Sequence, residues 1–363
     1  MEGPRSPSMT ELPSVMDFLN KSLRQEAGWS IAAEYPTAFN PNNLHNMCII
    51  ANEGHVLSHA VLKPLVIKSP HVIFKVGAIG SVVTDDAHRG QGLSTQVIND
   101  CLKKAEEQSC DIAILWTDIF DFYRRMGFEL AGSEISFIIE NEFDLPNNNL
   151  RFSTDSKVSP EAIHRLYSGH SVSSIRSVEE TRKFLSIPQT KVYTAWESNG
   201  QLAAYAIEGK GIDLGGYIHE WGGNVQNLIS LLGFIRLHKQ QPYTIICPRH
   251  SQNLIRQLKE LPVTVNEGFL GMIKMVNFDQ LAAKIKRAFR AEGVADFVLE
   301  KHTDHFVFGI GQDLFTLKNE TDMVQLLFGP VDYRSLDIFK EETVKKFETI
   351  FPLNLWIWGW DSI

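Results

Sequence analysis

The residues best placed to do chemistry in this sequence are Arg89-Gly90-Gln91-Gly92-Leu93-Ser94. They follow an apolar run, Val76–Thr84, that reads as a strand. They open Ser94–Gln108, whose Val97, Ile98, Cys101, Leu102 and Ala105 share one helical face. Glycine adopts backbone angles closed to other residues and lets a ligand approach the main chain. The first turn of a helix leaves amide N–H groups without partners and carries partial positive charge. A strand, a glycine-rich turn and a helix start therefore make a cradle for a pyrophosphate. A plain strand-to-helix turn also uses glycines, so the fragment alone leaves both readings open. It is not a dinucleotide fingerprint, because G-x-G-x-x-G is incomplete at Thr95. Nor is it a P-loop, since no Gly-Lys-Ser/Thr follows.

The elements around this turn give the order α, β-hairpin, β, α, β, α, β. Leu12–Leu23 has helical spacing, and Met47–Ala51 and Val56–Ile67 form a hairpin about Asn52-Glu53-Gly54-His55. After the amphipathic helix come a buried strand at Ile112–Trp116 and a brief helix at Phe120–Met126, stopped by Gly127. A last strand follows at Ile135–Glu140. A mixed α/β (α+β) sheet flanked by helices is expected. The polar stretch Asp144–Asn149 marks a boundary, giving a first domain over 1–146. Residues 147–273 repeat the order with weaker signals, as a diverged second copy. Residues 274–363 form a smaller third part: an amphipathic helix over Phe278–Ala291, three short strands, and helices over Thr321–Phe328 and Leu336–Phe351. The chain finishes in Trp356-Ile357-Trp358-Gly359-Trp360-Asp361-Ser362-Ile363, too apolar for a frayed terminus and therefore expected to be buried.

Composition excludes several classes. The 363 residues are 44% hydrophobic and 21% charged, which is globular and neither disordered, fibrous nor coiled-coil. The net charge of -8 offers no basic footprint for nucleic acid. Cys48, Cys101, Cys110 and Cys247 lack zinc spacing and read as reduced core thiols, and no histidine pair has metal spacing, so no metal is expected. No apolar stretch reaches membrane-span or signal-peptide form, so a cytoplasmic protein without membrane contact is the default.

Arg89-Gly90-Gln91-Gly92-Leu93-Ser94 resembles the R/Q-x-x-G-x-G/A signature of the GNAT acetyltransferases, with Ser94 departing at the last position. Asp118 to Phe128 resembles the family's second motif, ending in Tyr123-Arg124-Arg125-Met126-Gly127-Phe128. Domain order extends the likeness to the enhanced intracellular survival (Eis) acetyltransferases. Those have tandem GNAT modules and a small C-terminal domain similar to sterol carrier protein, which here opens near Gly271–Phe278.

The resemblance implies acetyl-CoA as co-substrate. Val82, Val83 and Thr84 would pair with pantetheine, and Arg89, Gly90, Gln91, Gly92, Leu93, Ser94 and Thr95 would hold the pyrophosphate. Asp118 and Ile119 would lie beside the thioester. Tyr123 would protonate the departing thiolate, which suits a phenol whose pKa of about 10 exceeds the thiol's, about 8.5. The main-chain carboxylate of Ile363 would be the general base. Trp29, in the loop after the first helix, is either an acceptor contact or a packing aromatic. Asp361 either holds a cationic amine or is a solvated carboxylate. The expected activity is acetyl transfer to a small cationic or aminoglycoside-like amine. The alternatives are a protein lysine acetyltransferase and a non-enzymatic acyl-CoA or apolar-ligand binding module. Relatives of this kind form oligomers, so a homo-oligomer is implied.

Overall fold

The structure is a computed structural model that describes residues 1–146, 149–154 and 157–363. The boundary expected at 146/147, within the Asp144–Asn149 linker, lies outside the described residues at 147 and 148. The first stretch of chain runs β1 (Glu2–Arg5), α1 (Leu12–Leu23), α2 (Ile31–Glu34), β2 (Met47–Asn52), β3 (His55–Lys68), β4 (Phe74–Thr84), α3 (Leu93–Glu107), β5 (Ile112–Leu115), α4 (Phe120–Arg124), β6 (Glu129–Ala131) and β7 (Glu134–Ile139). Then come β8 (Arg151–Thr154), α5 (Pro160–Tyr167), β9 (Ser173–Ser174), α6 (Val178–Phe184), β10 (Lys191–Trp196), β11 (Leu202–Lys210), β12 (Asp213–Gly223), α7 (Val225–Lys239), β13 (Tyr243–Pro248), α8 (Gln252–Lys259) and β14 (Val263–Gly268). The remainder is β15 (Gly271–Met275), α9 (Phe278–Ala291), β16 (Phe297–Lys301), β17 (Phe306–Ile310), β18 (Asp313–Leu317), α10 (Glu320–Phe328) and α11 (Glu341–Phe347).

The mixed α/β architecture is the expected one, but the two large sheets exchange a strand. The first sheet is ordered β1-β2-β3-β4-β5-β15-β6, with β9 also paired to β3, and the second β14-β7-β13-β12-β11-β10-β8. Gly271–Met275, read from sequence as the opening of the third part, instead pairs antiparallel with β5 and β6. Glu134–Ile139, expected to close the first sheet, lies between β13 and β14 in the second. Both strands are short apolar runs, and their register satisfies backbone groups wherever a matching edge is offered. Sequence pattern fixes that they are strands; the partner is chosen by packing.

The third part is a three-stranded antiparallel sheet, β16-β17-β18, against α9, α10 and α11. Its core is aromatic: Phe289, Phe297, Phe308, Phe347 and Phe351 pack ring against ring. The helix expected over Leu336–Phe351 is only Glu341–Phe347, because Asp337 takes a left-handed backbone angle (φ 50°) and Lys340 is the extended cap. Among the described residues no helix is long and apolar enough to cross a membrane.

Candidate active site

Strand β4 is the spine of the site. Its parallel ladder with β5 covers only Val76–Ala78 against Ile112–Ile114, after which β4 runs on to Thr84 beside β3 alone. The two strands diverge into a cleft, and Val82, Val83 and Thr84 lie on the diverging segment. On the β3 side the register slips between His59 and Val61, and Ser81 takes the left-handed conformation (φ 47°). The His59 Nδ1–H donates to the Ser81 carbonyl at 2.9 Å and fixes this bulge. Burial lowers the His59 pKa to about 4, so the ring is neutral.

The glycine turn closes one end of the cleft. Gly90 and Gly92 both sit at φ 77°, and Gly92 caps α3 from the left-handed region with no side chain bonded to the first amides. The N–H groups of Leu93, Ser94 and Thr95 precede the first intrahelical bond, Gln96 N–H to Gly92 O. Ser94 has a structural use: its hydroxyl bonds Thr84 Oγ1 at 2.7 Å, and Thr84 bonds Ser58 Oγ at 2.8 Å. This chain of hydroxyls locks the helix start to the end of β4. Arg89 and Gln91 are exposed beside the turn, Arg89 in an ion pair with Asp86 at 2.6 Å.

Across the cleft, Asp118 and Ile119 are exposed just before α4, Ile119 at 57%. Tyr123 is buried, its ring set edge-on between Phe122 and Phe128. Its hydroxyl has no hydrogen-bond partner among the described residues. Burial raises its pKa, which keeps the phenol protonated.

The C-terminal segment returns to this strand. A Cβ placed on Gly80 would fall 2.8 Å from the Ile363 carbonyl carbon and 2.9 Å from its Oatom and Cγ1, so the last residue rests directly on β4. Several buried groups hold the segment. Lys210 Nζ donates to the carbonyls of Gly359 at 2.9 Å and Ser362 at 2.6 Å, and Lys63 Nζ to that of Asp361 at 3.1 Å. The Gly359 amide donates to the His219 carbonyl at 3.3 Å, at the bulge in β12, so the tail bridges bulges in both large sheets. Trp356, Trp358 and Trp360 are almost wholly buried, in agreement with the apolar ending.

Asp361 is corrected by its surroundings. Its carboxylate accepts from Arg176 at 2.7 Å, from the Tyr167 hydroxyl at 3.1 Å and from Ser174, while Arg176 also grips Glu220 through two bonds of 2.9 and 3.0 Å. Burial alone would raise the Asp361 carboxyl, but Arg176 and then Lys63 bring it below its ordinary value. It is a buried structural anion, not a surface for an incoming amine.

A cavity of about 360 Å³ opens beside the tail. Two side-chain carboxylates line it, those of Glu134 and Asp213, together with Lys210, Ile363 and the aromatic rings of Tyr35, Trp116 and Trp356. Trp29 does not reach this wall. Its indole instead donates to Glu34, a buried carboxylate that also binds Arg24, and Arg24 in turn contacts Asp213. Glu134 and Gly80 belong to neither of the two sequence motifs. The signal for Gly80 was available, as a glycine inside an apolar strand implies close approach of another chain segment. Glu134 had none, because it stands at the start of an exchanged strand.

The second module is closed at the equivalent place. The Asn224 side chain caps α7 by accepting from Asn227 N–H at 2.9 Å. Where β12 leaves β13, the Trp221 indole donates to the Ile246 carbonyl at 3.1 Å. A Cβ on Gly359 would lie 2.3 Å from the His219 ring, so the tail fills what space is left.

Residues 4–131, the stretch that carries the turn, the cleft and Tyr123, match the acetyltransferase (GNAT) domain family. The chain carries a GNAT acetyltransferase domain. It is similar in fold to a GCN5-related N-acetyltransferase from Anabaena variabilis, at 16% identity over 99% of both chains with a TM-score of 0.67. A conserved protein of unknown function from Enterococcus faecalis, described as a probable N-acyltransferase, aligns at 15% identity over 97% of this chain and 96% of that one, TM-score 0.63. Eis1 from Mycobacterium abscessus aligns at 12% identity over 99% of both chains, TM-score 0.63. At these identities the likeness establishes the fold across the whole length. No curated protein sequence matches the chain. The protein is an acyltransferase of the N-acetyltransferase class, and an acyl-CoA and an acceptor are its two substrates.

Proposed function

We propose that the protein transfers acetyl from acetyl-CoA directly to the amine of a small cationic acceptor bound in the 360 Å³ cavity. One observation carries this reading: the main chain of Ile363 rests against Gly80, on the strand proposed to form the cofactor cleft, and Ile363 also lines a cavity with the carboxylates of Glu134 and Asp213. A volume equal to about twelve water molecules suits a small amine, and the aromatic walls suit its cation.

In this reading pantetheine lies along Val82, Val83 and Thr84, where β4 has no β5 partner, and the pyrophosphate meets the amides from Gly90 to Thr95. Asp118 and Ile119 flank the thioester. The neutral amine attacks the thioester carbonyl, the tetrahedral intermediate collapses, and the C–S bond breaks. Tyr123 donates its proton to the leaving sulfur, and the Ile363 carboxylate takes the surplus proton from the new amide nitrogen. Direct transfer needs no enzyme nucleophile. The four cysteines are buried, and burial raises Cys110 to about 11.

The test is release of free thiol from acetyl-CoA with a panel of small amines, diamines and lysine-containing peptides. Release that depends on small amines is expected. Release with peptides alone would assign the protein-lysine activity instead, and binding of acetyl-CoA with no release would assign a binding module.

A further inference from the structure

The cavity holds a carboxylate that the mechanism above does not use. Glu134 opens β7, the exchanged strand, where its register neighbours are Pro248 on β13 and Gly268 on β14. Neither has a side chain able to pair with it. Among the described residues no hydrogen bond or ion pair involves the Glu134 carboxylate. It lines the 360 Å³ cavity with Ile363, and also a second, larger cavity of about 550 Å³ bordered by the exposed Arg249, Lys259 and Glu267. Glu134 is the one residue that these two linings share.

The stoichiometry leaves a task for such a group. An acceptor arrives as an ammonium, R-NH3+. Acetylation yields R-NH-acetyl, the CoA thiol and one free proton, so the nitrogen loses two protons in all. The second goes to the terminal carboxylate as the intermediate collapses, and Tyr123 supplies sulfur. The first must leave before attack, since an ammonium has no lone pair. We propose that Glu134 accepts this first proton from the bound acceptor and passes it to solvent through the second cavity. The assignment rests on the acetyl-transfer reading of the site.

The step balances: the carboxylate and R-NH3+ become a carboxylic acid and R-NH2, and solvent in the second cavity takes the proton and restores the carboxylate. The surroundings suit the exchange. Burial pushes Glu134 up to about 7, nearer the acceptor's own pKa than an ordinary carboxylate of about 4.3 would be. Facing it across the first cavity are Lys210, Asp213, the Tyr35 phenol and Ile363. Across the second are Arg249, Lys259 and Glu267, all exposed, and the Cys247 thiol lies on the adjacent strand.

The test compares wild type, Glu134→Gln and Glu134→Asp in amine-dependent thiol release from about pH 6 to about pH 9.5. Two acceptors are used: a primary alkylamine with pKa near 10, and a hydrazide that is uncharged across the range. We expect Glu134→Gln to lower kcat/KM for the alkylamine by at least about 10-fold at pH 7. The loss should shrink as pH approaches the amine's pKa, and the hydrazide rate should stay within twofold or so of wild type. Glu134→Asp should recover most of the alkylamine rate. An unchanged pH profile in Glu134→Gln, or an equal loss with both acceptors, would overturn the assignment while leaving acetyl transfer intact. Wild-type protein with no amine-dependent release would remove the acetyl-transfer reading and this assignment with it.

Discussion

Replacing Gly80 by alanine tests whether the terminal carboxylate takes part in chemistry. The new methyl would lie 2.8 Å from the Ile363 carbonyl carbon. Carbon atoms in contact prefer about 3.5 Å or more, so roughly 0.7 Å must be found. The tail has little freedom to supply it upstream. Lys210 holds the carbonyls of Gly359 and Ser362, Lys63 holds that of Asp361, and Arg176 holds the Asp361 side chain. The displacement therefore falls on the last residue. A misplacement of about 1 Å in a reacting group can cost on the order of 100-fold, so kcat should drop about 10- to 100-fold. Overpacking should cost about 1–3 kcal/mol of stability, and acetyl-CoA affinity should hold because the glycine turn is untouched. Gly77→Ala is the control: its methyl meets the Leu62 side chain at 2.8 Å and Ala105 at 3.3 Å, on the α3 side of the same strand. It should lower the melting temperature and keep kcat. The assay is steady-state thiol release, with calorimetry for acetyl-CoA and thermal melts for both variants. Full turnover in Gly80→Ala, with a melt lowered as in Gly77→Ala, would refute the role given to the Ile363 carboxylate.

Tyr123→Phe should reduce kcat by about 100-fold while acetyl-CoA binding by calorimetry is unchanged; equal turnover would remove the phenol as the acid. Arg176→Met should destabilise the fold by about 3–5 kcal/mol, because Asp361 and Glu220 would be left buried without a counter-charge; a urea midpoint like that of wild type would contradict this. The buried histidines give a pH dependence. Burial holds His59 and His170 to about 4 and His219 to about 3, below an unfolded value of about 6.5. Below pH 6.5 the unfolded chain therefore binds protons that the native state refuses. Their stabilisation is complete above that pH and is lost as pH falls toward 4, by up to about 1.4 kcal/mol per pH unit for each ring. Urea midpoints measured between about pH 7 and pH 5 should fall accordingly, and a flat series would show that these rings are not held neutral.

Local chemistry was legible in the sequence, and non-local pairing was not. The turn at Arg89–Ser94 could be read because its signals are adjacent: a strand, two glycines that need φ near 77°, and an amphipathic helix. The burial of the ending could be read from Trp356, Trp358 and Trp360. Asp361 shows the limit. Its place beside the terminus leaves an amine site and a solvated carboxylate both open, but its partner Arg176 lies far off in sequence, and only the fold brings the two to 2.7 Å. Trp29 binds Glu34 only five residues on, but the long-range contact of this cluster, Arg24 to Asp213, is again non-local. The exchange of β7 and β15 was out of reach for the same reason. Alternating or apolar runs declare a strand, while its neighbours are decided by which edges the assembled sheets leave open.

That exchange ties the chemistry to assembly of the whole chain. The first sheet lacks a strand until Gly271–Met275 arrives from beyond the second module, and the second lacks one until Glu134–Ile139 is given up by the first. The tail crosses from the bulge at His219 to the bulge at Ser81, so it too needs both sheets. Tyr123, Glu134 and Ile363 are thus carried by a helix of one module, a strand lent to the other, and a terminus bound by both. A fragment ending before Gly271 would keep the glycine turn yet lack β15 beside β5, the strand whose divergence from β4 opens the cleft. Such a fragment is expected to lose acetyl-CoA binding as well as turnover. The cofactor cleft belongs in sequence to the first module, and in stability to all three parts of the chain.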